Sequence, residues 1–142
     1  MIDTIIKGTT DAVVASTQGV SDMATAIRST VKDQVSGAIK DASSLGVTTT
    51  DAVAAVVSGG VKAATQIGQD VGTVAVHTVE SAVEAAGSVG TSGVEATKSA
   101  VEAAVKAADE IGSEAGSSVR KALMSTASLP KDIVDSVIGK KD

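Results

Sequence analysis

Apolar residues recur along this chain at fixed steps. From Met23 they run Met23, Ile27, Val31, Val35 and Ile39, then shorten to steps of three at Ala42 and Leu45. Steps of four drift slowly around a helix of 3.6 residues per turn, and a step of three corrects the drift. Arg28, Lys32, Asp33, Lys40 and Asp41 fill the opposite face. This pattern predicts an amphipathic helix. The stripe continues through Val53, Val57, Val61, Ala64, Ile67, Val71, Ala75, Val79, Val83 and Ala86, and returns in Val101, Val105 and Leu123.

The stripe belongs to a repeat of 22 residues. Leu45-Gly46, Ile67-Gly68, Val89-Gly90 and Ile111-Gly112 share one phase of it. Val35, Val57, Val79, Val101 and Leu123 share a second, Ile39, Val61, Val83 and Val105 a third, and Ala42, Ala64, Ala86 and Ala108 close each unit. A fixed period of this kind dictates architecture. Six helical turns per unit give about 3.67 residues per turn, the spacing of a straight or slightly right-handed seam. The expected fold is therefore all-α: long amphipathic helices arranged as an elongated rod, a hairpin or a helical bundle. A contiguous helix would reach about 200 Å at roughly 1.5 Å per residue. Ile39, Val57, Val61, Val79, Val83, Val101, Val105 and Leu123 form the expected packing stripe. Gly46, Gly68, Gly90 and Gly112 are expected as close-approach glycines facing a neighbouring backbone. Ala38, Gly60, Ala82 and Ala104 flank the stripe and let helices come near one another.

Residues 1–130 read as a single helical-repeat region. Breaks are expected near 43–50, where serines, a glycine and three threonines disfavour a helix interior, and near 87–93, where Gly87, Gly90 and Gly93 gather. Ser92 with Glu95 has the form of a capping box. Gly8-Thr9-Thr10-Asp11 reads as a helix start, echoed at Thr49-Thr50-Asp51, and Ser113 to Ser118 as a weaker break. Gly59-Gly60 is placed to kink the middle of the chain. Between Asp51 and Val79 only Asp51, Lys62 and Asp70 are charged, so this stretch is expected to be the most buried. Pro130 ends the repeat region. Residues 131–142 predict a short amphipathic tail helix, with Ile133, Val134, Val137 and Ile138 on one face and Lys140 and Lys141 at its end.

Composition changes what the stripe can do. The chain has no Phe, Tyr or Trp and three Leu, so each residue buries little area. A compact monomer is weakly stabilised against its ordering entropy, and partners, a surface or long helix–helix seams supply the missing burial. Seventeen acids against twelve bases leave a net charge of −5. That balance argues against nucleic acid as a partner, since such binders need a basic face. It also argues against attachment to anionic membrane by charge alone. There is no cysteine, and so no thiol chemistry.

Candidate chemistry is sparse. His77 is the single histidine, with Glu80 one turn away and Asp70 two turns back, and it reads as a bystander on the polar flank. Glu80 with Glu84 and Glu110 with Glu114 are acid pairs of the solvated-surface kind. Gly87-x-x-Gly90-x-x-Gly93 lacks the strand and the Lys-Ser/Thr of a phosphate loop. Neither catalytic residue, metal nor cofactor is expected. Ala52 to Val61, the longest uncharged run of the Val-rich middle, is half a membrane span. No secretory leader is read at the start of the chain. A cytoplasmic location is expected, compatible with the periphery of a membrane or granule.

Thr91-Ser92-Gly93-Val94-Glu95-Ala96-Thr97-Lys98-Ser99-Ala100-Val101 resembles the 11-residue repeats of the perilipins, and more distantly those of synucleins and late-embryogenesis-abundant proteins. The Ala/Val-rich composition is similar to that of the phasins, which coat polyester granules. The resemblance implies an amphipathic helix that covers a hydrophobic surface. Two functional expectations follow. The first is a non-enzymatic structural or scaffold protein whose stripe packs on other helices, in a homo-oligomer or with a helical protein partner. The alternative is a coat that binds a lipid droplet, polymer granule or membrane surface.

Overall fold

The glycine phase of the repeat is where the chain turns. The structure is a computed structural model describing residues 2–139. Each 22-residue unit forms one helix and its connection. The helices are α1 (Ile2–Thr17), α2 (Met23–Leu45), α3 (Thr49–Ile67), α4 (Val71–Ser88), α5 (Gly93–Ile111), α6 (Ser113–Met124) and a single turn, α7 (Lys131–Val134), which runs into a π-helical turn at Asp135–Gly139. Gly46 and Gly68 cap α2 and α3 with φ of 76° and 72°, and Gly90 follows α4 with φ of 92°. This left-handed backbone strains any residue with a Cβ and ends a helix cleanly. α2, α3 and α4 each begin on a side-chain cap. Asp22 accepts from the Thr25 amide at 3.1 Å, Thr48 from Asp51 at 3.0 Å and Asp70 from Thr73 at 2.9 Å. Ser92 begins α5 without such a bond, so the expected capping box does not form.

Successive helices alternate between two layers. α1, α3 and α5 lie side by side in one, α2, α4 and α6 in the other, and each helix also packs on its chain neighbours. Hydrogen bonds fix the directions. Thr9 Oγ1 meets Gln34 Oε1 at 3.2 Å and Thr30 donates to Ser16 at 2.8 Å, so α1 and α2 are antiparallel. Arg28 pairs with Glu80 and Lys32 with Glu84, so α2 and α4 are parallel. Ser99 donates to the Thr50 carbonyl and Lys62 pairs with Glu110, so α3 and α5 are parallel. The molecule is an all-α bundle of two parallel-helix layers running in opposite directions, and not a rod.

The core lies between the layers and is built of Val and Ala. Val13, Ile27, Val31, Val35, Val53, Val56, Val57, Val61, Val74, Val79, Val101, Val119 and Leu123 are wholly or almost wholly buried. α3 and α4 hold the middle of their layers, which puts the Val-rich stretch at the centre. Small side chains fill such a core only if the helices approach closely. Gly59 makes this possible for α1: a Cβ there would collide with the Ile6 carbonyl and lie 2.8 Å from Thr9 Cβ. Thr10 Oγ1 instead donates to the Gly59 carbonyl across the seam at 2.8 Å. Gly60 does the same for α4, where a Cβ would stand 2.7 Å from Thr78 Cγ2. The pair does not break α3, which runs through both residues.

Other expected boundaries move. Thr9 and Thr10 are buried within α1, so Gly8-Thr9-Thr10-Asp11 is helix interior. Residues 113–118 belong to α6, and Gly112 alone links it to α5. The chain also turns at residues 18–22, 68–70 and 125–130, besides the regions near 43–50 and 87–93. After Pro130 the tail packs its helical turns against α5 and α6, with Val134 and Ile138 buried, while Leu129 before the proline is buried beside Val83 of α4. Lys140 and Lys141 lie outside the described residues.

Candidate functional site

The residues of the packing stripe point inward. Val57, Val61, Val79, Val101 and Leu123 have no exposed surface, and Ile39, Val83 and Val105 are partly buried against the same core. The structure brings them together in the seams of one bundle. The glycines of the repeat go elsewhere. A Cβ built on Gly46, Gly68, Gly90 or Gly112 meets nothing within 4 Å, so they are not close-approach residues. The first three are left-handed turn positions, and Gly112, with φ of 162°, is extended. Close approach falls instead to Gly59, Gly60, Gly72 and Gly116. Gly60 belongs to a small-residue phase of the repeat. Gly72 and Gly116 carried a usable signal as glycines inside helical pattern, which mark packing when they do not mark a cap.

A trough of about 550 Å³ crosses the outer face of the α1/α3/α5 layer. Its floor is Ala54, Ala55 and Ser58 of α3. One wall is Ile2 and Ile6 of α1, the other Ser99 and Ala103 of α5. Asp3, Asp51, Glu102, Lys62, Lys106 and Glu110 stand around it. The trough follows from sequence: α3 has only short side chains on its outer face between Asp51 and Lys62, while its neighbours rise on either side. Lys62 and Glu110 pair at 2.9 Å, and the Lys62 hydrogen bond holds the Glu110 carboxyl below its ordinary value. A second hollow of about 570 Å³ lies where α4 and α6 begin, between Asp70, Val71, Ile111 and Glu114.

The polar cluster is on the opposite layer. Glu80 accepts from Arg28 of α2 and from Ser128 at the start of the tail, tying three segments together. Burial raises the Glu80 pKa, but the bonds from Ser128 and Arg28 outweigh it and hold the carboxyl below 4.5. A crevice of about 340 Å³ runs beside it, lined by Val83, Glu84 and Leu129. His77 lies one turn before Glu80, with Nδ1 buried and unpartnered. Burial first, and then the positive charge of Arg28, push its pKa below 6.5, against the pull of Glu80 and Asp22. Of the acid pairs, Glu80 and Glu84 face Arg28 and Lys32, and Glu110 faces Lys62, while Glu114 enters none of the ion pairs among the described residues. Among the described residues no three metal-ligating side chains gather, and no helix is long and apolar enough to cross a membrane.

The fold and these surfaces define an all-α bundle with one helix per repeat. No family model, curated protein or solved structure matches the chain.

Proposed function

We propose that this chain is a non-enzymatic structural protein of the cytoplasm, a small scaffold that assembles with other helices, in the first place with copies of itself. One observation carries the reading. The stripe that would coat an apolar surface is already buried inside the bundle, and one face left outside is a small-floored trough along parallel helices. Troughs of that kind accept helices, because short side chains allow ridges of a neighbour to sit between them. The coat alternative requires the seams to open first, exposing Val57, Val61, Val79 and Val101 together.

Sedimentation velocity over a wide concentration range, followed by refractive index because the chain has no Trp or Tyr, tests the reading. Flotation with neutral-lipid vesicles runs beside it. The expected result is a discrete oligomer with unchanged helicity that stays off the vesicles. A monomer at every concentration that floats with lipid would replace the scaffold by the coat.

A further inference from the structure

We propose that the trough on the α1/α3/α5 layer docks a second copy of this chain, trough to trough, with the helices of the two copies antiparallel. This rests on the assembly reading above and names its partner and geometry.

Ser99 bonds to the Thr50 carbonyl at one end of the α3/α5 seam and Lys62 pairs with Glu110 at the other. Glu102 therefore stands level with Ala54, and Lys106 with Ser58. Read along the trough, an acid precedes a base on both helices, Asp51 then Lys62 on α3 and Glu102 then Lys106 on α5, and Glu110 closes the far end in its pair with Lys62. Between Asp51 and Lys62 the floor carries no charge. This order is its own complement when reversed. A two-fold axis lying in the face and perpendicular to the helices places α3 across α3 and α5 across α5, head to tail. Asp51 then lies over Lys62 of the other copy and Glu102 over its Lys106, and symmetry makes each pair twice.

The charges are free for this. Asp51, Glu102 and Lys106 enter none of the ion pairs formed among the described residues, although Glu102 and Lys106 stand one turn apart on the same helix. Lys62 uses one donor on Glu110 and keeps two more. A two-fold axis along the helices gives the opposite result, with Asp51 over Asp51 and Lys62 over Lys62, which repel. Charge order thus selects the antiparallel pairing. Shape agrees: Ala54, Ala55 and Ser58 let the two α3 backbones approach, and the half-buried Ile2 and Ile6 give each copy an apolar ridge to cover.

The chain has no cysteine, so single-cysteine variants report contacts directly. Asp51→Cys and Lys62→Cys are purified apart, mixed, and treated with a short bismaleimide. The mixture is expected to give at least tenfold more cross-linked dimer than either variant alone. Separately, Glu102→Lys is expected to raise the dimer Kd about tenfold, because two attractive pairs become repulsive. Glu102→Lys combined with Lys106→Glu restores the Kd to within about threefold. An oligomer indifferent to both tests overturns this interface and leaves the assembly reading standing. A wild-type chain that sediments as a monomer at every concentration overturns both.

Discussion

Glycine has opposite roles at different positions of this chain, and alanine separates them. At Gly59 a Cβ meets the Ile6 carbonyl, so Gly59→Ala is expected to cost about 1–3 kcal/mol through overpacking. At Gly68 there is room, but φ is 72°, and Gly68→Ala is expected to cost about 1 kcal/mol in backbone strain. Gly37 lies inside α2 with nothing within 4 Å, so Gly37→Ala is expected to stabilise by about 0.5–1 kcal/mol. Urea titrations followed by circular dichroism rank the three, and a Gly59→Ala protein as stable as the parent would refute the close α1/α3 seam. His77 supplies the residue-scale test of charge. It is the only histidine, so no other side chain of ordinary pKa titrates between about pH 5 and 7. Its folded pKa is depressed below 6.5, so the unfolded chain takes the proton first. Stability should then fall as pH drops below 6.5 and level off once the pH passes the folded pKa. The carboxyls of Glu80 and Glu110 are held below 4.5, so their contributions persist until more acid conditions. The parent's urea midpoint is expected to be lower at pH 5.5 than at pH 7.5, while His77→Gln shows the same midpoint at both. A parent midpoint that does not move would mean that the half-buried His77, with Arg28 nearby, does not carry a depressed pKa.

Single helices show why the sequence is legible in part. The stripe is visible as a periodic face because each unit turns that face inward, and Val57, Val79 and Val101 are all fully buried. Twenty-two residues is also an ambiguous length. It equals six turns of continuous helix, and equally a helix of about five turns plus a short connection. Which one forms depends on whether Gly46, Gly68 and Gly90 adopt a positive φ, a choice that spacing does not encode. The breaks near 43–50 and 87–93 are visible because Ser, Thr and Gly cluster there. The turn after Ile67 is hidden because Gly68, Gln69 and Asp70 suffice for it, and the turn after Ile111 because Gly112 alone does. The trough and the Glu80 cluster are invisible for a further reason. Both join units two apart in sequence, as in Arg28 with Glu80 and Lys62 with Glu110, and periodicity within one helix carries no information about which layer its neighbours occupy.

The whole molecule is a stack with a parity rule. Odd helices belong to one layer and run one way, even helices to the other and run back, so a helix's environment is decided by how many units precede it. Adding two units preserves that parity and adding one reverses it. A second copy of residues 47–90 spliced in after Gly90 brings α5 and α6 back to their own layers and directions. A second copy of residues 69–90 at the same place sends α5 into the α2/α4 layer, where its Val101 and Ala104 face have no matching seam. Stability in stacked repeats is a sum of unit and nearest-neighbour terms. The 44-residue insertion should therefore unfold in one cooperative urea transition with a larger m-value, since more surface is exposed on unfolding. The 22-residue insertion should lose cooperativity and gain dye-accessible apolar surface, although it adds the same kind of helix. Far-UV circular dichroism and urea unfolding of the two proteins decide the matter. If both insertions fold equally well, the layers are not set by alternation, and the bundle tolerates its helices in any order that buries the stripe.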